Sequence, residues 1–246
     1  MYHPVDAIPH ATIGFAGITG AMTGLSSAGV TVHEANLESD RDTFYGFPWT
    51  LRLRAVMERA TTLAEATAFW DATNNTCGFN HAVGSAVDAS FVAIETDAGH
   101  SAYFGAMDPR EVAGEGGDPR PDAVFRTNHG FDPSTVAHYQ WNGTHADEDS
   151  RERYALFPQL FDAVAPKNYS ALDAVKTAAV LGQKGADYWL CGGEGTCGDA
   201  SNVISAAFAP VVGAGTLYAA WEVGTGETWT PACCSTYVKM EMSEWW

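Results

Sequence analysis

The chain has 246 residues, of which 30 are Asp or Glu and 13 are Lys or Arg, for a formal net charge of −17. That charge repels a phosphate backbone and argues against nucleic-acid partners. A hydrophobic content of 46% with 12% aromatics excludes a disordered chain, and no apolar run approaches the roughly 18 residues of a membrane helix, so no transmembrane segment is expected.

No linker composition, internal repeat or low-complexity tract divides the sequence, so residues 1–246 are expected to form a single domain. Residues 11–36 are Gly-rich with short apolar runs and read as two strands joined at residues 24–29. "FPWTLRLRAVMERA" follows, with Pro48 near a helix start and apolar Leu51, Leu53, Val56 and Met57. In "TTLAEATAFWDAT" Thr62 and Glu65 have capping-box spacing ahead of a second helix. "SFVAIET" and "HSAYFGA" read as a hairpin turning at "DAG". Residues 109–122 read as a Gly/Pro loop, and "AVFRTNHG" as a short strand. "DSRERYALFPQLFDAV" is expected to be a helix with Asp149 and Glu152 at capping-box spacing. Another is expected from Ser170, stopped by Gly182. The last third is strand-rich, with turn signals at "GAG" and "GTGE". Strands in two blocks with helices between them predict an α+β fold in which helices cover sheets.

Chemistry is scarce among the familiar motifs. There is no HExxH and no CxxC pair, and Cys191 and Cys197 have no second ligand pair at a zinc spacing, so no metal is expected. No GxxxxGK[ST] or helix-opening GxGxxG supports a nucleotide, no GxSxG elbow occurs, and no cofactor is expected. Cys191 and Cys197 bracket a Gly-rich loop that a disulfide could close. Cys233 and Cys234 lie in a segment that reads as a strand, which lends a thiolate none of the help of a helix N-terminus. Three Asn-x-Ser/Thr sequons, at Asn74, Asn142 and Asn168, exceed the roughly one expected by chance and point to a glycosylated, secreted or lysosomal protein. Yet "MYHPVDAIPHATIGFAG" has neither the basic nor the apolar region of a signal peptide. "FRTNHGFDP", residues 125–133, concentrates Arg, Thr, Asn and His between Gly and Pro. Asn and His are common in turns, where their side chains bond nearby backbone, so the segment alone does not define a site.

"GITGAMTGLSSAGVTVHEA", "FPWTLRLRAVMERATTLAEA", "ETDAGHSAYF", "RTNHGFDP", "DSRERYALFPQL" and "LYAAWEVGTGETWTPACCSTYV" occur in that order over nearly the whole chain. The series resembles the isopenicillin N acyltransferase-like family of N-terminal nucleophile hydrolases, and within it the acid-ceramidase-like members. The resemblance implies a four-layer αββα sandwich. It implies hydrolysis or acyl transfer at the amide bond of a small N-acyl amide, with a lipid-like one a candidate, through a thioester on an N-terminal Cys whose own amine serves as base. It implies that Asn128 forms part of the oxyanion hole. Arg153 matches an Arg of the family and is carried as a substrate or structural residue. Asn80 and His129 are candidates beside the substrate, His129 not as a base. Family members place the Cys, then an Arg and an Asp, upstream of a "G-x-x-TG-x-x-GL" region. Here that region begins near Gly14, and none of the thirteen residues before it is Cys. The expectation is therefore a sandwich short of its first strands, a nucleophile outside this chain, no activity from these residues alone, and a signal peptide outside it too. The alternative is a secreted binding or structural domain on a catalytically inactive hydrolase fold.

Overall fold

The structure, a computed structural model, describes residues 1–113, 116–164, 169–187, 203–224, 228 and 230–246. Six antiparallel strands form one sheet in sequence order: β1 (His10–Ile13), β2 (Thr23–Ser26), β3 (Val30–Asn36), β4 (Phe79–Ser85), β5 (Ser90–Asp97) and β6 (His100–Phe104). A second antiparallel sheet contains β7 (Ile204–Val211), β8 (Ala214–Trp221) and β9 (Val238–Glu241). Among the described residues six α-helices accompany them: α1 (Trp49–Arg59), α2 (Leu63–Asp71), α3 (Pro109–Ala113), α4 (Pro133–Val136), α5 (His145–Asp162) and α6 (Ala171–Asp187).

The large sheet is covered differently on its two faces. On one, Val30, Val32, Val83, Val92 and Ile94 meet Leu53, Val56 and Met57 of α1 and Ala66 and Trp70 of α2. Alternation along a strand puts the intervening residues on the inner face. There Ala11, Ile13 and Leu25 pack against Leu217 and Ala219 of the small sheet. Ala93, Ala102 and Phe104 pack instead against Phe125, Phe131 and the α5 residues Tyr154 and Phe161. Helix α6 packs against β7. The result is the layered α+β sandwich expected: helices, sheet, sheet, helix.

Local chemistry explains most element boundaries. Pro48 precedes α1, and Thr62 Oγ1 caps α2 by accepting from Glu65 N at 3.2 Å. The Glu65 carboxylate reaches back to Thr61 N at 2.7 Å, one residue earlier than the usual capping box. The β5–β6 hairpin turns at Gly99, whose φ of +83° favours a residue without Cβ.

Several elements differ from expectation. Residues 11–36 form three strands, and the β2–β3 turn falls at residues 27–29. Gly24 lies within β2. A Cβ there would come 2.5 Å from Ala11 O and 2.7 Å from Met57 Sδ, so its smallness serves packing. Strand β4 escaped the sequence reading because the polar Asn80 and His81 are both buried, one on each face, which breaks the alternation. α5 starts at His145 with Thr144 as its cap, leaving Asp149 inside the helix. α6 runs through Gly182; one helical Gly costs only about 1 kcal/mol. Cys233 and Cys234 sit on a single 3₁₀ turn. Cys191, Cys197, Asn168 and most of the "GTGE" turn lie outside the described residues. Among the described residues no helix is long and apolar enough to cross a membrane.

His81 tests the α1–α2 face. It is 1% exposed, with ring centroids 4.9 Å from Trp70 and 5.7 Å from Phe79, and desolvation pushes its pKa down to about 3. The unfolded chain therefore takes up this proton near pH 6.5 while the folded chain does not. The stability His81 contributes is complete above pH 6.5 and is lost as pH falls toward 3. His81→Phe is expected to shrink the stability difference between pH 7 and pH 5 by about 2 kcal/mol, read from urea midpoints at the two pH values.

Candidate active site

Segment 123–131 is not a strand. Its backbone groups are taken by side chains from three elements rather than by a neighbouring strand. From β4, Asn80 Nδ2 donates to Thr127 O at 2.7 Å and to His129 O at 2.8 Å. From β5, the Glu95 carboxylate accepts from Phe131 N and Asp132 N, each at 2.9 Å. From α5, Ser150 Oγ accepts from Asn128 N at 2.7 Å, while Thr127 Oγ1 donates to Ser150 O at 2.9 Å. Asn80 and Glu95 are directly opposed across the β4–β5 ladder on the inner face, so one register places both straps.

This strapping presents Asn128 in a defined pose. Asn128 Nδ2 donates to Asn36 O, at the end of β3, at 2.8 Å. Arg153 Nη2 donates to Asn128 Oδ1 at 2.8 Å, and Arg153 is itself held by Asp149 Oδ2 at 2.7 Å, one helical turn earlier. A guanidinium can only donate, so the Asn128 oxygen must face Arg153. An amide nitrogen carries two N–H groups, and only one of them is committed to Asn36. Asn128 is partly exposed.

Behind Asn128 the site is buried. His129 is 1% exposed, and its Nδ1 lies 2.8 Å from Ser150 Oγ; burial pushes its pKa down to about 3, so it is neutral at physiological pH. Its ring stands edge-on to Phe131 and Tyr154. Arg126 lies between the rings of Phe104 and Phe131, 3.3 Å from Glu95 and 2.8 Å from Glu111. Glu95 is fully buried, and desolvation raises its pKa against the pull of Arg126. Asp132 continues the strap by capping α4, accepting from Ser134 N at 3.0 Å, and by pairing with His100 and Arg110.

The structure thus brings Asn128, Arg153, His129 and Asn80 together in one cluster. It also adds Glu95, Ser150 and Asn36, which sequence reasoning missed, and Arg126, noted in the segment but given no role. Glu95 left one legible signal: a carboxylate in alternation with Phe91 and Ala93 on the inner face of β5. Ser150 and Asn36 left none. Asn74 and Asn142 are exposed. Among the described cysteines, burial raises the Cys77 thiol, and Cys233 and Cys234 place their Sγ atoms 3.5 Å apart. The hydrogen bonds of the Asn128 side chain go to Asn36 and Arg153, and none goes to a thiol. Among the described residues no group of three or more His, Cys, Asp or Glu could hold a metal ion.

Two stacked sheets flanked by helices are the architecture of the N-terminal nucleophile hydrolase fold. Residues 1–177 match the model of the family described as acyl-coenzyme A:6-aminopenicillanic acid acyl-transferase, and the chain belongs to that family. Two solved structures share the fold at 12% identity. A mutant conjugated bile acid hydrolase from Clostridium perfringens aligns with 95% of this chain and 76% of its own, at a TM-score of 0.55. Penicillin V acylase from Agrobacterium tumefaciens aligns with 91% and 71%, at 0.53. No curated protein matches.

Removing one partner of a buried ion pair leaves the other charge uncompensated. Glu95→Ala strips Arg126 of one counter-charge and orphans Phe131 N and Asp132 N. It is expected to cost about 3–5 kcal/mol in urea unfolding. Arg153→Ala, at a partly exposed position, is expected to cost about 1 kcal/mol or less.

Proposed function

We propose that this protein hydrolyses or transfers the acyl group of small N-acyl amides through a thioester on a cysteine nucleophile. Asn128 stabilises the oxyanion. The single observation that carries this reading is the locked pose of the Asn128 amide, with Arg153 on its oxygen and one N–H uncommitted.

A carbonyl under attack turns into an alkoxide-like oxygen, and a fixed N–H aimed at it gains strength as the charge develops. Because Asn36 O and Arg153 already hold the amide, little reorganisation is needed at the moment of reaction. Arg153 acts through Asn128 in this scheme, as a positioning residue. His129 contributes rigidity, since a ring with a pKa of about 3 is a poor base at neutral pH. In the N-terminal nucleophile scheme the base is the amine of the nucleophile residue itself. Among the described cysteines none hydrogen-bonds the Asn128 side chain, and the attacking thiol is taken to be the N-terminal Cys that the family resemblance implies. The family, with acyl transfer in its description, and the two structural relatives, a bile acid hydrolase and a penicillin acylase, support the reaction class. The exposed sequons suit a secreted or lysosomal setting.

With the thiol-bearing segment present, Asn128→Ala is expected to lower kcat on an N-acyl amide by roughly 10²–10³ while leaving KM within a few fold. Progress curves over a range of substrate concentration measure both. An Asn128→Ala enzyme with unchanged kcat would remove the oxyanion assignment.

A further inference from the structure

The turn that carries Cys233 and Cys234 has no part in the scheme above. It is a single 3₁₀ turn, Ala232–Cys234, preceded by Pro231. Pro231 O accepts from Cys234 N at 3.0 Å and from Ser235 Oγ at 3.1 Å, and Ala232 O accepts from Ser235 N at 3.1 Å. On this turn the two Sγ atoms lie 3.5 Å apart, in van der Waals contact. Both residues carry thiols, in different surroundings: Cys233 is 5% exposed, whereas Cys234 faces water.

The turn is tied to the rest of the fold. It packs against α6, β7 and β8. Three residues beyond Cys234, Tyr237 OH and Ser205 Oγ of β7 share a hydrogen bond of 2.5 Å. Burial raises the Tyr237 pKa most, and both cysteines add to the rise. Helix α6 and β7 in turn wall two adjoining cavities, of about 440 and 430 Å³, beneath the inner face of the large sheet. A change at the turn therefore bears on elements that shape the interior.

We propose that Cys233 and Cys234 form a two-thiol modification site for low-molecular-weight disulfides of the glutathione type. Disulfides exchange by attack of a thiolate on one sulfur, so the accessible thiol reacts first. The Cys234 thiolate, its proton lost to water, attacks the reagent. The reagent S–S bond breaks, a mixed disulfide forms on Cys234 and one thiolate leaves. Cys233, deprotonated in turn, attacks the adjoining Cys234 Sγ. The mixed S–S bond breaks, the second thiolate leaves and the two cysteines are joined. The departing thiolates take up the two protons, so the pair is oxidised by two electrons while one disulfide is reduced to two thiols. Such a bridge reopens readily. Neighbouring Cα atoms across a trans peptide are about 3.8 Å apart, short of the roughly 4.4–6.8 Å of ordinary disulfides. The ring is therefore strained, and strained bridges are the easily reduced ones. The site does not depend on the amide-cleaving reading.

Incubation of the reduced chain with oxidised glutathione, followed by acid quenching and peptide mass mapping, tests it. The wild-type peptide that holds the turn is expected to lose two hydrogens and to retain no glutathione. Cys233→Ser is expected to stop at the mixed disulfide, with one glutathione on Cys234; Cys233→Ala replaces it if far-UV circular dichroism shows that the serine variant does not fold. Cys234→Ser is expected to react at this turn at least about tenfold more slowly, because the remaining thiol is buried. An excess of reduced glutathione is expected to reopen the wild-type bridge. No oxidation of the wild-type turn, glutathione retained on wild-type Cys234, or a bridge from either cysteine to Cys77, Cys191 or Cys197 would each overturn the proposal. So would a Cys234→Ser chain that reacts as fast as wild type, or a bridge that reduced glutathione leaves closed.

Discussion

A buried carboxylate on a central strand holds the candidate site together. Glu95 sits in β5 with its side chain on the inner face, fully removed from water. A lone carboxylate there would be very costly to bury. Here it accepts from the backbone N–H groups of Phe131 and Asp132 and lies beside Arg126, so burial is tolerated because two protein amides and a guanidinium replace its water. In return the 125–132 segment is held against the sheet without being a strand. Gly130 is the steric condition for this. A Cβ at that position would come within 2.8 Å of Glu95 Oε2 and 3.2 Å of the Thr135 methyl group.

The same arrangement explains how a partly exposed amide acquires a fixed orientation. Asn128 is surrounded by anchors on three elements that are far apart in sequence: Asn36 on β3, Ser150 and Arg153 on α5, and Asn80 on β4 through the residues on either side. Each anchor is buried or braced by another group, as Asp149 braces Arg153. A site built this way loses little freedom when a ligand arrives, which is the condition for electrostatic preorganisation. The cost falls on stability, since Glu95, Glu111, Arg126 and His129 are all groups that a purely apolar core would do without.

The two faces of the large sheet divide the labour. The α1–α2 face is close-packed and apolar, with His81 kept neutral among aromatic rings. The inner face carries the polar straps, the aromatic cluster around Tyr154 and the cavities. Because a strand alternates its side chains, β4 serves both: His81 and Val83 point to the helices, while Asn80 and Ala82 point inward. A slip of one residue in the β4–β5 register would exchange these sets, put a histidine among the straps and drive Asn80 into the apolar face.

What the sequence determined by itself was whatever depends on neighbours in the chain. Pro48, the Thr62–Glu65 pair and the turn at Gly99 act over four residues or fewer, so α1, α2 and the β5–β6 hairpin were legible. The ordered motifs made the sandwich legible as a resemblance. The boundaries of α5 and α6 were not, because a plausible cap at Asp149 or stop at Gly182 yields to packing when the surrounding helix is well placed. Only the tertiary structure decided that "FRTNHGFDP" is a strapped loop rather than a strand, and that Glu95, Ser150 and Asn36 surround it. Those contacts span 21 to 92 residues. No local propensity encodes them; they exist because sheet register and the docking of α5 bring distant polar groups to backbone atoms that would otherwise be buried unpaired.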